Sequence, residues 1–595
     1  MRSMHIAVLL FNFLYYLSPV YSNCPEAPKC DKGYLYRSFD GTCNNLGYPL
    51  YGKPDLTYDR LLKANYDDGI STPYKAKDGG PLTPARTISN KLYPDIPLKD
   101  PIWTLILMQY GQIVAHDLSN IKQEGPDNCC TNETSKNPKC FAIEVPFDIT
   151  DRMSLAGIKC ISFIRTTTDR DQGCYTENEP VEQVSDVNSI LDLSVTYGNS
   201  LAKSQELRTG LGGKLKVENR NEQDWPPRDP TPTKTCFLPN TEEACYLTGD
   251  KRGNQNLQLT VLQVAYLREH NRVCDILAEL NPHWDDEKLF QEARKICIGQ
   301  HQYVSYYEML PIFLGRDNLL NYKIIYDTDD FVDDYDSSVN PAVYNEHANA
   351  ANRYFHSNIE GYLKLYSDKF RLSYSSVRLS NWFDRPSFLE EGDNFGGLCR
   401  GLTTQLESNV DTFHTSEITQ YLFKKAKTFG KDMKAADVQR NRDHGFRSYN
   451  DYRELCGLKR ATKFSDLSGE INELAIILLQ KLYKSVDDIE LTTGGSVENH
   501  VQGALAGPTF VCIMLKQFSK TRLSDRFWFE RSGKTGFTLD QLNEIRKASI
   551  SRLLCDNSPT TDYMQPEGFK YTSIFGNKLQ DCNTLPSINY TKWKE

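Results

Sequence analysis

Apolar residues recur at helical spacing along much of this 595-residue chain, and this periodicity limits its fold more than any other feature. The clearest case is the segment 257–280, and similar patterns span 286–307, 467–484, 507–520 and 539–554. Asp100-Pro101 and Asn340-Pro341 each resemble a helix start, with an N-cap side chain followed by proline. Alternating strand patterns are few and short. We therefore predict a mainly α fold, built as a single large domain with few short strands.

The first 22 residues predict a secretory signal peptide. Arg2 precedes an apolar run at 6–17 and a small-residue site ending at Ser22, which is typical of a cleaved leader rather than a membrane anchor. No later stretch is both long and apolar enough to span a bilayer. We therefore expect residues 1–22 to be removed, residues 23–595 to form one globular domain, and the protein to be secreted.

All 17 cysteines lie after this leader, as expected for a chain that folds in an oxidising compartment. An odd number leaves at least one thiol unpaired or bonded to another chain. The pairs that could bridge locally are Cys24/Cys43, Cys130/Cys140, Cys236/Cys245 and Cys555/Cys582. Asn132 and Asn589 each begin an Asn-x-Thr acceptor for N-glycosylation.

Charge argues against nucleic acid as a partner. The formal net charge is −9, so the chain lacks the basic surface that phosphate backbones require. The ten histidines include no His-x-x-x-His pair and no His-Glu-x-x-His sequence. A copper-based oxidase and a zinc hydrolase of that type are therefore not indicated.

The segment from Met108 to Asn120 has a chemical pattern. On a helix, Gln112 and His116 are four residues apart and share one face. Asp117 is rotated by about 100° and points elsewhere. One short helix could therefore present an imidazole and an amide to one site and a carboxylate to another. Taken alone, the pattern is more typical of a buried, hydrogen-bonded histidine beside a surface aspartate.

This segment closely resembles the distal helix of the animal haem peroxidases, the family of myeloperoxidase and peroxinectin. The resemblance continues in order through the motifs Thr248 to Arg252, Leu267 to Arg272, Asn352 to His356, Gln439 to Gly445, Ser448 to Arg453 and Asp525 to Glu530. These ordered matches are together highly specific. They imply a haem peroxidase domain over 23–595 that uses hydrogen peroxide to oxidise small reducing substrates.

On the distal side, the resemblance implies three catalytic residues. His116 is expected to accept a proton from peroxide and to return it to the leaving oxygen. Arg252 is expected to stabilise the negative charge that grows as the O–O bond breaks. Gln112 is expected to order the distal water or peroxide.

On the proximal side, the resemblance makes His356 the ligand of the haem iron, through a neutral imidazole nitrogen. Arg353 and Arg440 are expected to pair with haem propionates. The mammalian enzymes have asparagine where this chain has Asp437. Because a carboxylate hydrogen-bonded to the ligand imidazole makes it a stronger electron donor, we predict a lower Fe(III)/Fe(II) potential than in those enzymes.

Haem attachment also departs from the mammalian pattern. Those enzymes bind haem through esters of an aspartate and a glutamate, and myeloperoxidase adds a methionine link. The matching positions in this chain are Ala115, Gln255 and Asn256. None of these side chains can form the corresponding bond, so we expect haem b to be held non-covalently.

A calcium loop is a further feature that the resemblance implies. The segment Asn188 to Ser194 resembles the family's calcium loop, although the family has threonine where Asn188 stands. Because Asp117 follows His116, bound calcium would brace the helix that carries the distal histidine. The expected oxygen ligands, which suit a hard cation, come from Asp117, Asn188, Ile190, Asp192 and Ser194.

Three physiological roles remain open. The Asp437 variant and the missing ester residues resemble secreted invertebrate members, including the salivary peroxidase/catechol oxidases of blood-feeding insects. Phenols, catechols or aromatic amines would then be substrates, and oxidation of host catecholamines would cause vasodilation. The second role is an eggshell or matrix enzyme that cross-links tyrosines. The third is a peroxinectin-like adhesion protein, which would not need His116, Arg252 and His356 together. Nothing in the sequence specifies an oligomeric state.

Overall fold

A computed structural model describes residues 24–240 and 242–595 of the chain. The predicted signal peptide lies outside the described residues. Within them the fold is mainly helical and forms a single large domain, as predicted. No helix of the described segments has the length and apolar character needed to cross a membrane.

The long helices form the framework of the domain. Those of eight or more residues are Ala85–Leu92, Leu105–Leu118, Leu257–Leu280, Asp286–Tyr303, Asn394–Thr404, Met433–Asp443, Glu473–Leu482, Pro508–Leu523 and Ile550–Asn557. Shorter helices are Arg152–Leu155, Asp169–Gln172, Ser194–Tyr197, Leu201–Leu207, Leu310–Leu314, Arg316–Asn321, Ser416–Thr419, Tyr449–Leu455, Leu491–Gly495 and Leu539–Ile545. Two π-helical segments, Val304–Met309 and His347–Ala351, interrupt this regular pattern.

The strands are short and pair only as two-stranded antiparallel ladders in the described part of the chain. The pairs are Leu56–Thr57 with Val184–Ser185, Lys99–Thr104 with Leu406–Ser408, Ile143–Glu144 with Cys160–Ile161, Glu218–Arg220 with Gln223–Trp225, Tyr362–Tyr366 with Ser373–Arg378, and Tyr563–Met564 with Gln580–Asp581. The ladder Tyr362–Tyr366 with Ser373–Arg378 contributes Leu363 and Val377 to the main core, whereas the helices supply most of the buried residues.

The Leu105–Leu118 helix lies at the centre of the main hydrophobic core. Leu105, Ile106, Tyr110 and Ile113 are all buried, although they do not share one face. A helix that is apolar around its whole circumference packs in a protein interior. It contacts Leu257–Leu280 on one side and the segment that contains His356 on another. Side chains from this helix therefore project into the interior of the domain.

A smaller hydrophobic core is formed in part by residues of the helices Ala85–Leu92, Met433–Asp443 and Glu473–Leu482. Buried charge also stabilises it, because the guanidinium of Arg86 bridges the carboxylates of Asp151 and Asp432 at 2.6 Å each. Asp432 in turn caps the Met433–Asp443 helix by accepting a hydrogen bond from the backbone of Ala435. Arg86 therefore fixes the start of this helix.

Two predicted helix starts are wrong. Asp100 lies in the strand Lys99–Thr104, which pairs with Leu406–Ser408, and its carboxylate accepts backbone hydrogen bonds from Ile102 and Trp103. The helix begins only at Leu105. Tertiary strand pairing has overridden the local capping pattern.

The second wrong start is Asn340-Pro341. Asn340 accepts a hydrogen bond from the backbone of Ala342, which closes a turn, and helical structure begins only at His347. The predicted segment 539–554 is likewise two helices, because Ser549 caps a new one at Ile550. The prediction for 257–280 is confirmed to the residue.

Seven disulfides cross-link the described residues. Those predicted between Cys236 and Cys245 and between Cys555 and Cys582 are present, whereas the pairs Cys24/Cys43 and Cys130/Cys140 are wrong. Folding brings Cys24 and Cys130 to partners that lie 150 and 30 residues away, while Cys43 and Cys140 bond to Cys30 and Cys129. The full set is Cys24–Cys174, Cys30–Cys43, Cys129–Cys140, Cys130–Cys160, Cys236–Cys245, Cys456–Cys512 and Cys555–Cys582, with Cys274, Cys297 and Cys399 free and buried.

Candidate active site

A cavity of about 360 Å³ lies between the Leu105–Leu118 helix and the helical segment that contains His356. This volume is within the range of pockets that bind small molecules and cofactors. Six of the residues singled out from the sequence line it, namely Gln112, His116, Arg252, Arg353, His356 and Asp437. Positions up to 325 residues apart in sequence therefore meet around one space.

His116 lies on the wall formed by the Leu105–Leu118 helix. It is 9% exposed, and its Nδ1 is buried with no hydrogen-bond partner among the described residues. Burial, and then the positive charge of Arg252, hold the pKa of His116 well below its usual range. The imidazole is therefore neutral at neutral pH and can accept a proton.

Arg252 lies beside His116, next to the C-terminal end of the Leu105–Leu118 helix. Its Nη2 donates to the carbonyl of His116 at 2.8 Å and its Nη1 to that of Ser119 at 3.0 Å. Its Nε donates to Asp250 at 2.9 Å. The negative end of the helix and the Asp250 carboxylate both favour a cation here. The guanidinium is thus fixed in the cavity wall.

Asp250 is a functional residue that the sequence analysis missed. Burial alone would raise its pKa, but the charge and hydrogen bonds of Arg252 outweigh burial and lower that pKa to about 2. Asp250 therefore remains ionised and holds the arginine in place. Its position two residues before Arg252, inside the same motif, was the available signal.

Gln112 is held by an amide network. Its Oε1 accepts from Gln109 at 3.0 Å and from Asn256 at 3.1 Å, and its Nε2 donates to Gln255 at 3.0 Å. Gln255 and Asn256 occupy two of the three positions where mammalian relatives attach haem. Here these residues instead orient Gln112, and Asn256 also caps the Leu257–Leu280 helix.

The opposite wall presents His356. The π-helical segment His347–Ala351 leads into the 3-10 helix Asn352–Asn358, which carries both Arg353 and His356. Such irregular helical segments are common at functional sites. The His356 Nδ1 lies 3.1 Å from the Asp437 carboxylate, and no hydrogen bond engages its Nε2 within the described residues. Nε2 is therefore the nitrogen free to bind a metal.

Asp437 is shared between two partners. One carboxylate oxygen faces Nδ1 of His356, and the other accepts from Nη1 of Arg353 at 3.2 Å. Burial raises the pKa of Asp437, but the charge and hydrogen bond of His356 and the charge of Arg353 outweigh burial and lower it to about 2. The ionised carboxylate thus fixes Nδ1 as the protonated nitrogen of His356.

Arg440 does not line the cavity. Its Nη1 donates to Thr166 at 2.8 Å and to Asp443 at 3.1 Å, and the guanidinium packs over the ring of Phe163. Within the described residues no hydrogen bond engages its Nε or Nη2. The pairing of Arg440 with a propionate stays a prediction.

The predicted calcium residues meet on the other face of the Leu105–Leu118 helix. The Asp117 carboxylate accepts from Ser194 Oγ at 2.9 Å and from the backbone of Leu193 at 2.8 Å. Asn188 Nδ2 donates to Asp192 at 3.1 Å, while its Oδ1 is buried without a partner. Ile190 lies in the same buried loop. Asp117 and the loop Asn188 to Ser194 thus bring carboxylate, amide and hydroxyl oxygens together on the side of the helix away from the cavity.

The two carboxylates of this loop share a buried environment. Burial, and then the charge of Asp192, raise the pKa of Asp117 to about 8, and burial raises the pKa of Asp192 to about 6. A buried pair of acids with an orphaned amide oxygen fits a hard cation, which would offset the cost of burying both charges. No group of three or more His, Cys, Asp or Glu side chains forms a metal cluster in residues 24–240 and 242–595, so backbone, amide and hydroxyl oxygens would complete the ligand set.

Comparison with known proteins places this geometry in a family. The sequence profile described as "Animal haem peroxidase" matches residues 36–569. The chain belongs to the animal haem peroxidases. The family implies a haem cofactor, and the cavity fits it, since His356 offers a free imidazole nitrogen on one wall opposite His116 and Arg252 on the other.

Individual relatives agree with this assignment. A "Peroxidase" of Drosophila melanogaster is 45% identical over 96% of this chain and 84% of the relative. A "Chorion peroxidase" of the same species is 34% identical over 97% of this chain and 73% of the relative. Among solved structures, Peroxidase A of Dictyostelium discoideum matches with a TM-score of 0.76 at 28% identity, over 90% of this chain and 99% of that one.

The effect of the Asp437 carboxylate on the haem potential can be tested by substitution. Replacing Asp437→Asn removes the charge that makes His356 electron-rich, so we expect the Fe(III)/Fe(II) potential to rise. Loss of such a partner typically lowers activity by about 10- to 100-fold. Spectroelectrochemical titration of the haem protein measures the potential directly.

The matched control is Asp451→Asn, on the Tyr449–Leu455 helix. Its carboxylate accepts from Ser448 and Arg460 rather than from His356, so the potential should not change. Equal potentials in wild type and Asp437→Asn would show that the carboxylate does not tune the iron ligand.

Proposed function

We propose that this peroxidase is secreted and uses hydrogen peroxide to oxidise small phenols, catechols or aromatic amines. The observation that carries the proposal is the placement of His116 and Arg252 across one cavity from the His356–Asp437 pair. Seven disulfides support an extracellular location. The likeness to insect salivary enzymes extends the proposal to host catecholamines and vasodilation, and that extension rests on family likeness alone.

Haem bound at His356 would supply the redox chemistry. Peroxide would oxidise it by two electrons, and two molecules of reducing substrate would each return one electron. The neutral imidazole of His116 accepts a proton from one oxygen of hydrogen peroxide and donates it to the other oxygen, which leaves as water. Arg252 stabilises the charge on the leaving oxygen. One peroxide and two phenols then yield two waters and two phenoxyl radicals.

A cross-linking role is the second candidate, because two relatives are named "Chorion peroxidase", at 34% and 33% identity. A phenoxyl radical formed on a protein tyrosine would couple to a second one. Dityrosine fluorescence from a tyrosine-rich protein, at a rate exceeding that with small catechols, would favour this role.

The main test is the absorption spectrum of the purified protein. We expect a Soret band that shifts with one equivalent of hydrogen peroxide and returns when a catechol is added. His116→Ala should keep the Soret band but react with peroxide about 10²- to 10⁴-fold more slowly, as general acid–base catalysis is lost. A protein with no Soret band despite ample haem would refute the enzyme and leave a peroxinectin-like adhesion scaffold.

We also propose that haem b is held non-covalently, because Ala115, Gln255 and Asn256 offer no carboxylate or thioether to the cavity. The prediction is that acidified organic solvent extracts all the haem from the denatured chain. The matched control is the double variant Ala115→Asp and Gln255→Glu, which restores both carboxylates and should retain haem after exposure to peroxide. Haem retained by the wild-type chain would contradict the proposal.

We propose calcium at Asp117, Asn188, Ile190, Asp192 and Ser194. Metal analysis should find one calcium per chain, and chelation should reduce both activity and melting temperature. Binding at a free concentration 100 times Kd stabilises a protein by about 2.7 kcal/mol. Asp192→Asn should lower the calcium content, whereas Asp327→Asn, on an exposed loop, should not. Full activity after complete chelation would exclude this role.

A further inference from the structure

An open groove leads into the haem cavity. Its volume is about 1320 Å³, and four residues, Asn120, Arg252, Gln255 and Phe423, line both the groove and the cavity. A reducing substrate can therefore reach the cavity from this side. The groove side chains nearest that junction are the ones that would select substrates.

Two phenylalanine rings flank the junction. Phe383 and Phe423 both line the inner cavity, with ring centroids 4.9 Å apart. Aromatic ligands pack favourably against such rings. The residue after Phe383 is Asp384, which lines the outer groove. An aromatic surface and a carboxylate are thus adjacent at the entrance.

The backbone at this entrance is strained. Asp384, Phe423 and Lys425 all have positive φ, at 57°, 51° and 52°, which non-glycine residues rarely adopt. Such strain concentrates at ligand-binding sites, where surrounding contacts maintain it. Two backbone hydrogen bonds hold Asp384, from its N–H to Gln255 and from Phe237 to its carbonyl. The backbone from which the Asp384 side chain extends is therefore fixed.

Asp384 differs from four other acids of the groove. Asp55, Asp186, Glu206 and Asp250 each form an ion pair with a lysine or arginine. The Asp384 carboxylate forms no hydrogen bond or ion pair with any described residue. Burial raises the pKa of Asp384 to about 7, although the positive charge of Lys425 partly offsets this. A partly buried carboxylate without a partner gains stability from a cationic ligand.

The charge of the groove as a whole does not favour a cationic ligand. Lys424, Lys425, Lys427 and Lys431 line the same groove and repel cations. Recognition of a cation at the junction with the cavity would therefore depend on Asp384 itself, because Lys424 and Lys425, which follow Phe423 in sequence, line the groove there. It requires a group that reaches the carboxylate while the rest of the ligand lies on the phenylalanine rings.

We propose that Asp384 binds the ammonium group of an arylalkylamine whose phenol or catechol ring packs on Phe383 and Phe423. The hydroxyl end of the ring then points into the haem cavity. This inference rests on the proposed function and names its substrate class as aromatic monoamines. Asp384 is thus a specificity-determining residue rather than part of the peroxide chemistry.

Three phenols that share one ring test the inference in the haem-loaded enzyme. They are tyramine, p-cresol and 3-(4-hydroxyphenyl)propionate, which are cationic, neutral and anionic. Wild type should have its lowest KM for tyramine. In Asp384→Asn, which keeps a residue that tolerates positive φ, the KM for tyramine should rise about tenfold, the value of one hydrogen bond to a charged group. The KM for p-cresol should not change.

Lys425→Gln is the reciprocal control, since it removes the neighbouring cation. Its KM should fall for tyramine and rise for the propionate, by about two- to threefold for an exposed charge. Calorimetric titration of tyramine without peroxide gives its Kd independently of turnover. That Kd should weaken about tenfold in Asp384→Asn.

Two results would overturn the inference: a tyramine Kd and KM unaffected by Asp384→Asn, or a wild-type preference for the propionate. A wild-type enzyme that fails to oxidise even p-cresol would instead refute the proposed function. The calorimetric Kd would still decide the role of Asp384 in that case.

Discussion

The active site depends on one buried carboxylate. Asp437 holds its charge inside the protein only because Arg353 and the Nδ1–H of His356 each occupy one of its oxygens. A buried charge that loses a partner is strongly destabilising. The three side chains therefore fix one another, and the free nitrogen of His356 has a defined direction. The position of the His356 imidazole and its electron density therefore depend on the same contact with Asp437.

Other buried charges extend this constraint outward. The helix that carries Asp437 begins at Asp432, whose carboxylate pairs with Arg86, and Arg86 also pairs with Asp151. On the distal side, Asp250 fixes Arg252, and Arg252 caps the helix of His116. Arg252 is thus positioned by a neighbouring acid of its own motif, and His356 by an acid from another segment. Successive residues of an α-helix are rotated by about 100°, so the adjacent side chains of His116 and Asp117 face different sides of the Leu105–Leu118 helix.

The sequence predicted those features whose causes are local. The 257–280 helix needed only its periodicity, and the cavity residues lay in short motifs that resemble those of the animal haem peroxidases. Predictions failed where distant segments decide the outcome. Asp100 lies in a strand because Leu406–Ser408 pairs with it, and Cys130 bonds to Cys160 because the adjoining strands bring them together. Asp384 escaped notice because its isolation appears only in three dimensions.

The amide network around Gln112 connects haem retention to catalysis. A carboxylate at position 255 would face the Nε2 of Gln112, and Gln255 avoids a buried charge there while its Oε1 still accepts a hydrogen bond from that Nε2. In the non-covalent arrangement that we propose, His356 and packing against the cavity walls would position the haem. Asp437, which holds His356, would then contribute more to that position than it would beside ester links. A weaker iron–imidazole bond would shift both the potential and the distance between the iron and His116.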